Sequence, residues 1–134
     1  QQYVLLRRLT EALLLDIEIV GVPTVREPDG LAKSSRNAYL DPDERVQAPV
    51  LYEAVTAAKS AIEGGEQEAQ AVVGAMQNSL SAAPLARVQY ADVVDAHTLQ
   101  PVQRLAPGQE VLAAVAVFFG DTRLIDNAFV SVPR

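Results

Sequence analysis

Ser34, Ser35 and Arg36 stand side by side in Pro28-Asp29-Gly30-Leu31-Ala32-Lys33-Ser34-Ser35-Arg36-Asn37, the densest run of small, polar and charged residues in the chain. Two hydroxyls beside a guanidinium suit an anionic group such as a phosphate, because all three can donate to its oxygens. The same residues suit a plainer role, in which Ser34 or Ser35 caps a short helix and Arg36 is solvated. Pro28 and Asp29-Gly30 mark a turn ahead of them. Other candidates carry less chemistry. His97 is the single histidine, so there is no multi-His metal site, and a His-based triad would need it beside a nucleophile. It reads as a surface loop residue. Asp41, Asp43 and Glu44 are acidic enough for Mg²⁺, but their place at a helix start makes capping and dipole stabilisation the better account. Asp121, Asp126 and Asn127 read as turn and strand-edge polar groups.

The rest of the chain bounds what this run can serve. Its 134 residues are enough for one domain with a core. A formal charge of −6 and a pI near 4.7 argue against a general nucleic-acid binder. With no cysteine there is neither a disulfide framework nor a thiolate metal site, which fits a reducing compartment. No apolar run reaches the length of a membrane span. Arg7 and Arg8 fall inside the first apolar pattern, which is therefore not a signal peptide. The chain opens inside that pattern without an initiator Met and reads as a piece of something longer.

The elements that must position the run follow from periodicity. Residues 1–15 read as a helix with Leu5, Leu9 and Leu13 on one face and Leu6 and Leu14 beside them. Ile17-Glu18-Ile19-Val20 reads as a short β-branched strand, the end of a parallel α/β unit whose other strands lie elsewhere. Asp41, Pro42 and Glu44 spell a capping box with proline at the first helical position. Pro49 interrupts that helix. Leu51, Val55, Ala58 and Ile62 then share a face up to Gly64-Gly65, and 66–80 is a further helix with Ala69, Val72, Val73, Met76 and Leu80 inward. Residues 87–93 alternate like a half-buried strand, 98–107 form a loop, and 111–119 are apolar enough for a central strand. Gly120-Asp121 makes a tight hairpin to 122–132. The expected class is α+β: a helical pair on a small antiparallel sheet, preceded by the last helix and strand of a Rossmann-like domain.

Gly21-Val22-Pro23-Thr24-Val25-Arg26-Glu27 and Asp29-Gly30-Leu31-Ala32-Lys33-Ser34-Ser35-Arg36-Asn37-Ala38-Tyr39-Leu40 together resemble the pantothenate synthetase (pantoate–β-alanine ligase) family. The resemblance continues in Gln1-Gln2-Tyr3-Val4-Leu5-Leu6-Arg7, Val88-Gln89-Tyr90, Asp95-Ala96-His97-Thr98-Leu99 and Thr122-Arg123-Leu124-Ile125-Asp126-Asn127, so it covers nearly the whole chain. It implies residues 1–27 as the end of a Rossmann-like nucleotide-binding domain, 28–40 as a phosphate-binding hinge loop and 41–134 as a C-terminal lid domain. It implies a cytoplasmic enzyme, a homodimer when full length, that uses ATP and Mg²⁺ to join pantoate to β-alanine through pantoyl adenylate. By resemblance, Gln2 binds pantoate, the backbone of Val25 meets the nucleotide, and Lys33, Ser34, Ser35 and Arg36 form the ATP-phosphate loop. Lys33 departs from the family, where Met or Leu is more usual.

The family's His-x-Gly-His motif, and a lysine–aspartate pair just before the glutamines, are not in these residues. The resemblance therefore implies that this polypeptide alone has no ligase activity, binds ATP weakly, and holds no certain catalytic residue. With the Rossmann-type layer absent, the leucines of the first helix need another cover. The helix is expected to fold back on the C-terminal unit, to pair with another copy, or to be disordered. Two other readings stand beside this one: part of another adenylyl- or nucleotidyl-transferring enzyme with a different acid substrate, or a non-catalytic interaction domain that keeps an old loop.

Overall fold

The computed structural model describes residues 1–134. Helix α1 (Gln2–Ala12) leads through an irregular stretch to a 3-10 turn (Ser35–Tyr39). Helices α2 (Pro42–Gln47), α3 (Val50–Glu63) and α4 (Ala69–Leu80) follow, then strands β1 (Ala86–Asp95), β2 (Glu110–Phe119) and β3 (Thr122–Ser131). The expected α+β class and the helical pair on an antiparallel sheet are what the chain forms.

The local signals account for the element ends. Asp41 accepts from the Glu44 N–H at 2.8 Å, and Glu44 accepts from the Asp41 N–H at 3.0 Å, closing a capping box. Pro49 separates α2 from α3, and Gly64 caps the end of α3. Helix α4 starts at Ala69, with the first residue of its apolar pattern and later than the expected start at residue 66. Glu68 is engaged in a bridge with Arg104, and the Ala69 N–H donates to the Gln103 carbonyl at 3.0 Å.

The sheet has the order β1-β2-β3, antiparallel throughout. Strand β2 lies in the middle and buries Val111, Ala113, Val115, Val117 and Phe119 against Leu51, Val55, Ala58 and Ile62 of α3 and Val72, Met76 and Leu80 of α4, all within one core cluster. Gly120 turns the β2–β3 hairpin at φ +52, so Phe119 pairs directly with Thr122. A register shift between Val88 and Tyr90 puts a bulge at Gln89 in β1.

The strand expected at 17–20 is not formed. Residues 16–24 have no regular structure, since no other strand of the chain lies beside them to complete a ladder. Of the three expected fates of α1, the fold-back is the one observed, although the leucines do not make it. Val4 is buried, and the Tyr3 ring meets Phe129 of β3 edge-on at 6.2 Å. The Arg8 guanidinium donates to the Thr98 carbonyl at 3.4 Å. Leu5, Leu6, Leu9 and Leu13 remain 49–60% exposed.

The loop between β1 and β2 is closed by Asp95. Its carboxylate accepts from the His97 N–H, from the Thr98 N–H and hydroxyl, and from the Gln109 amide at 3.1 Å. These donors, Gln109 first, hold the Asp95 pKa down at about 2. A depressed carboxylate stabilises the fold above its unfolded pKa, and that contribution is lost as pH falls through the folded value. Urea midpoints should therefore drop between about pH 4 and pH 2 more steeply in the wild type than in Asp95→Asn. Equal slopes would show that the Asp95 charge contributes nothing.

Candidate functional site

Residues 25–33 form a small hairpin that carries the Ser-Ser-Arg run at its end. Arg26 and Ala32 bridge, the Glu27 N–H donates to the Leu31 carbonyl at 2.8 Å, and the Lys33 N–H donates to the Val25 carbonyl at 2.9 Å. Gly30 turns the tip at φ +92, a region where a Cβ is strained, and a Cβ there would also collide with the Tyr52 ring. Asp29 caps the turn by accepting from the Leu31 N–H and pairs with Arg45 of α2 at 2.6 Å. That bond to Arg45 lowers the Asp29 pKa and raises that of Arg45.

The base of this hairpin is fixed by one ion pair. Arg26 donates from both terminal nitrogens to Asp126 of β3, at 2.6 and 2.9 Å. The same guanidinium donates to the Gly30 carbonyl at 3.0 Å and lies over the Tyr52 ring of α3, 4.3 Å from its centroid. The hydrogen bond to Asp126 raises the Arg26 pKa. Asp126 is 4% exposed and is the one buried polar or charged residue of the chain. Its Oδ1 also accepts from the Asn127 N–H at 2.7 Å. The expectation that Asp126 is a strand-edge polar group is thus corrected. It occupies the inward register of β3 with Leu124 and Val130, a core position that a carboxylate can hold only with a partner.

Beyond the hairpin, the Ser34 hydroxyl oxygen accepts from the Arg36 N–H at 3.2 Å and caps the 3-10 turn. Asn37 closes the loop by donating from Nδ2 to the Ala32 carbonyl at 3.1 Å. The capping reading of Ser34 therefore holds, and it uses only an acceptor lone pair, leaving the hydroxyl proton free to donate. A cavity of about 320 Å³ lies between this loop and β3, lined by Lys33, Ser34 and Arg36 on one side and Arg123, Asp126 and Asn127 on the other. Lys33, Arg36 and Arg123 take part in no ion pair. Three cations without carboxylate partners meet there in a chain of net charge −6. The one carboxylate in the wall, Asp126, is already matched by Arg26. The arrangement can take a multiply charged anion with several oxygens.

The other sequence candidates are placed differently. Ser35 opens the 3-10 turn and is exposed outside the cavity lining. Val25 lies at the hairpin stem, its side chain 63% exposed and its carbonyl taken by Lys33. Gln2 is exposed at the start of α1 and is not part of this cavity. His97 is a surface residue as expected, its Nε2 3.1 Å from a Glu110 carboxylate oxygen. Sequence reasoning missed Arg26, Arg123, Asp126 and Asn127. The available signal was the alternation of β3, which places an acid among inward apolar positions.

Removing one partner of a buried pair leaves the other charge uncompensated. Arg26→Ala and Asp126→Ala should each destabilise the chain by about 3–5 kcal/mol, and Arg26→Met/Asp126→Leu should recover most of that loss. Urea unfolding of the three variants measures the coupling; additive losses would show that the pair contributes no interaction energy.

Known proteins resemble the chain over nearly its whole length. The family model described as Pantoate-beta-alanine ligase matches residues 1–129. Pantothenate synthetase of Salinibacter ruber is 79% identical over 133 residues, which are 99% of this chain and 45% of that protein. That of Myxococcus xanthus is 49% identical over 127 residues, 95% of this chain and 43% of its own length. The chain thus spans less than half the length of these relatives. The crystal structure of pantothenate synthetase from Thermus thermophilus superposes with a TM-score of 0.85 at 40% identity, over 99% of this chain and 46% of that one. An alignment that runs from the first helix to the last strand, and leaves only residues 130–134 outside the family match, places the chain in the pantoate–β-alanine ligase family.

Proposed function

We propose that the chain is the C-terminal part of a pantothenate synthetase and that the cavity between its Ser-Ser-Arg loop and β3 receives the phosphates of ATP. In this reading residues 1–27 end the Rossmann-like domain, 28–40 carry the phosphate loop and 41–134 form the lid. The observation that carries it is the meeting of Lys33, Ser34, Arg36 and Arg123 at one cavity whose single carboxylate, Asp126, is already paired with Arg26. The relative from Francisella tularensis was solved complexed with Beta-gamma ATP and Beta-alanine; at 24% identity and a TM-score of 0.56 it shares the fold.

In the full-length enzyme a carboxylate oxygen of pantoate attacks the α-phosphorus of ATP. The bond from that phosphorus to the β-phosphate bridging oxygen breaks, and pyrophosphate leaves with the electron pair. The amine of β-alanine then attacks the acyl carbon of pantoyl adenylate, displaces AMP and loses a proton to give the amide. These residues serve the first step. Arg36 and Lys33 offset charge that builds on the leaving phosphates, and the Ser34 hydroxyl orients them. Ser35 and the Val25 backbone hold the edge of the nucleotide, and Gln2 binds pantoate. Mg²⁺ accompanies ATP as its counter-ion. The full-length protein acts as a cytoplasmic homodimer.

Arg36→Ala in the full-length ligase should slow adenylate formation by about 10²–10³ while leaving the melting temperature close to wild type. An unchanged rate would remove Arg36 from the site. The 134-residue chain by itself should release no AMP from ATP, pantoate and β-alanine in a coupled assay, and turnover near that of a full-length enzyme would overturn the reading that the reaction needs residues outside this chain.

A further inference from the structure

The wall of the phosphate cavity contains one carboxylate, Asp126, among three unpaired cations. An acid at that place repels an anion unless its charge is cancelled. Arg26 cancels it from behind. The guanidinium does not line the cavity, yet it holds both Asp126 oxygens at 2.6 and 2.9 Å. The same guanidinium holds the hairpin tip through the Gly30 carbonyl, and the bridge at Arg26 and Ala32 sets where Lys33 begins. One side chain therefore controls both the charge of the cavity wall and the position of the loop opposite it.

We propose that Arg26 and Asp126 are positioning residues for the phosphate site, acting as a charge-neutral latch between the loop and β3. The inference rests on the phosphate reading given above. Neither residue touches the phosphates. Asp126 fixes the loop stem, and Arg26 keeps Asp126 from expelling the anion that the loop binds. The three cations, none of them in an ion pair, keep their charge for the ligand.

This role predicts effects of opposite sign, where a purely structural pair predicts effects of the same sign. In the full-length ligase, Arg26→Gln leaves Asp126 negative in the wall, and the dissociation constant for ATP should rise at least fivefold. Asp126→Asn removes that charge, keeps one side-chain oxygen to accept from Arg26 and so hold the loop stem, and leaves Arg26 positive behind the wall, so ATP should bind as tightly as to wild type or more tightly. The double variant Arg26→Gln/Asp126→Asn, neutral on both sides, should bind within threefold of wild type. Equilibrium binding of ATP to folded protein reads these effects, with pantoate binding as the control that stays within twofold. If both single variants weaken ATP binding alike, or if the double variant is as weak as Arg26→Gln, the latch is overturned. Should Arg26→Gln fail to fold, Asp126→Asn and the double variant decide the matter, since a fivefold weakening in either contradicts a neutral latch. Arg36→Ala separates the two levels. If it weakens ATP binding while the latch variants fail their signs, only this inference falls; if it leaves ATP binding unchanged, the phosphate reading falls and takes this inference with it.

Discussion

A buried carboxylate needs a partner, and much of this molecule is arranged around that need. Asp126 sits in the core register of β3, where an unpaired charge would cost several kcal/mol. Arg26, one hundred residues earlier, supplies both hydrogen bonds. Meeting it there draws residues 25–33 against the sheet edge, stacks the guanidinium on Tyr52 of α3, and fixes the Gly30 carbonyl. Gly30 is required because the tip turns back under the Tyr52 ring at positive φ. One electrostatic requirement thus specifies a turn residue, an aromatic face and the position of the Ser-Ser-Arg run.

The sequence carried some of these features openly and others not. The capping box at Asp41 and Glu44, the break at Pro49 and the two-residue turn at Gly120-Asp121 are decided within a few residues, so pattern alone reveals them. The apolar run of β2 announced a central strand for the same reason. Ile17-Glu18-Ile19-Val20 has equally good strand composition and forms none, because a strand exists only with a neighbour to bond to. The pairing of Arg26 with Asp126 was hidden by its span: the alternation of β3 turns Asp126 inward, but nothing local names a partner one hundred residues away.

The candidate site divides along the same line. Its loop was visible, since Lys33, Ser34, Ser35 and Arg36 are contiguous. Its opposite wall was not, since Arg123 and Asn127 reach the cavity only after the hairpin has folded back. The two sequence candidates farthest from the phosphate run, Gln2 and Val25, are held by α1 and by the hairpin stem, and this chain does not gather them into the same cavity.

The anchors of the hairpin all lie downstream of it: Arg45 on α2, Tyr52 on α3 and Asp126 on β3. None lies on α1. Between α1 and the hairpin, residues 18–24 enter no backbone hydrogen bond. Mechanically, the loop is therefore tethered to the helices and sheet that follow it, while the strap before Val25 is tied by no backbone hydrogen bond to what precedes it.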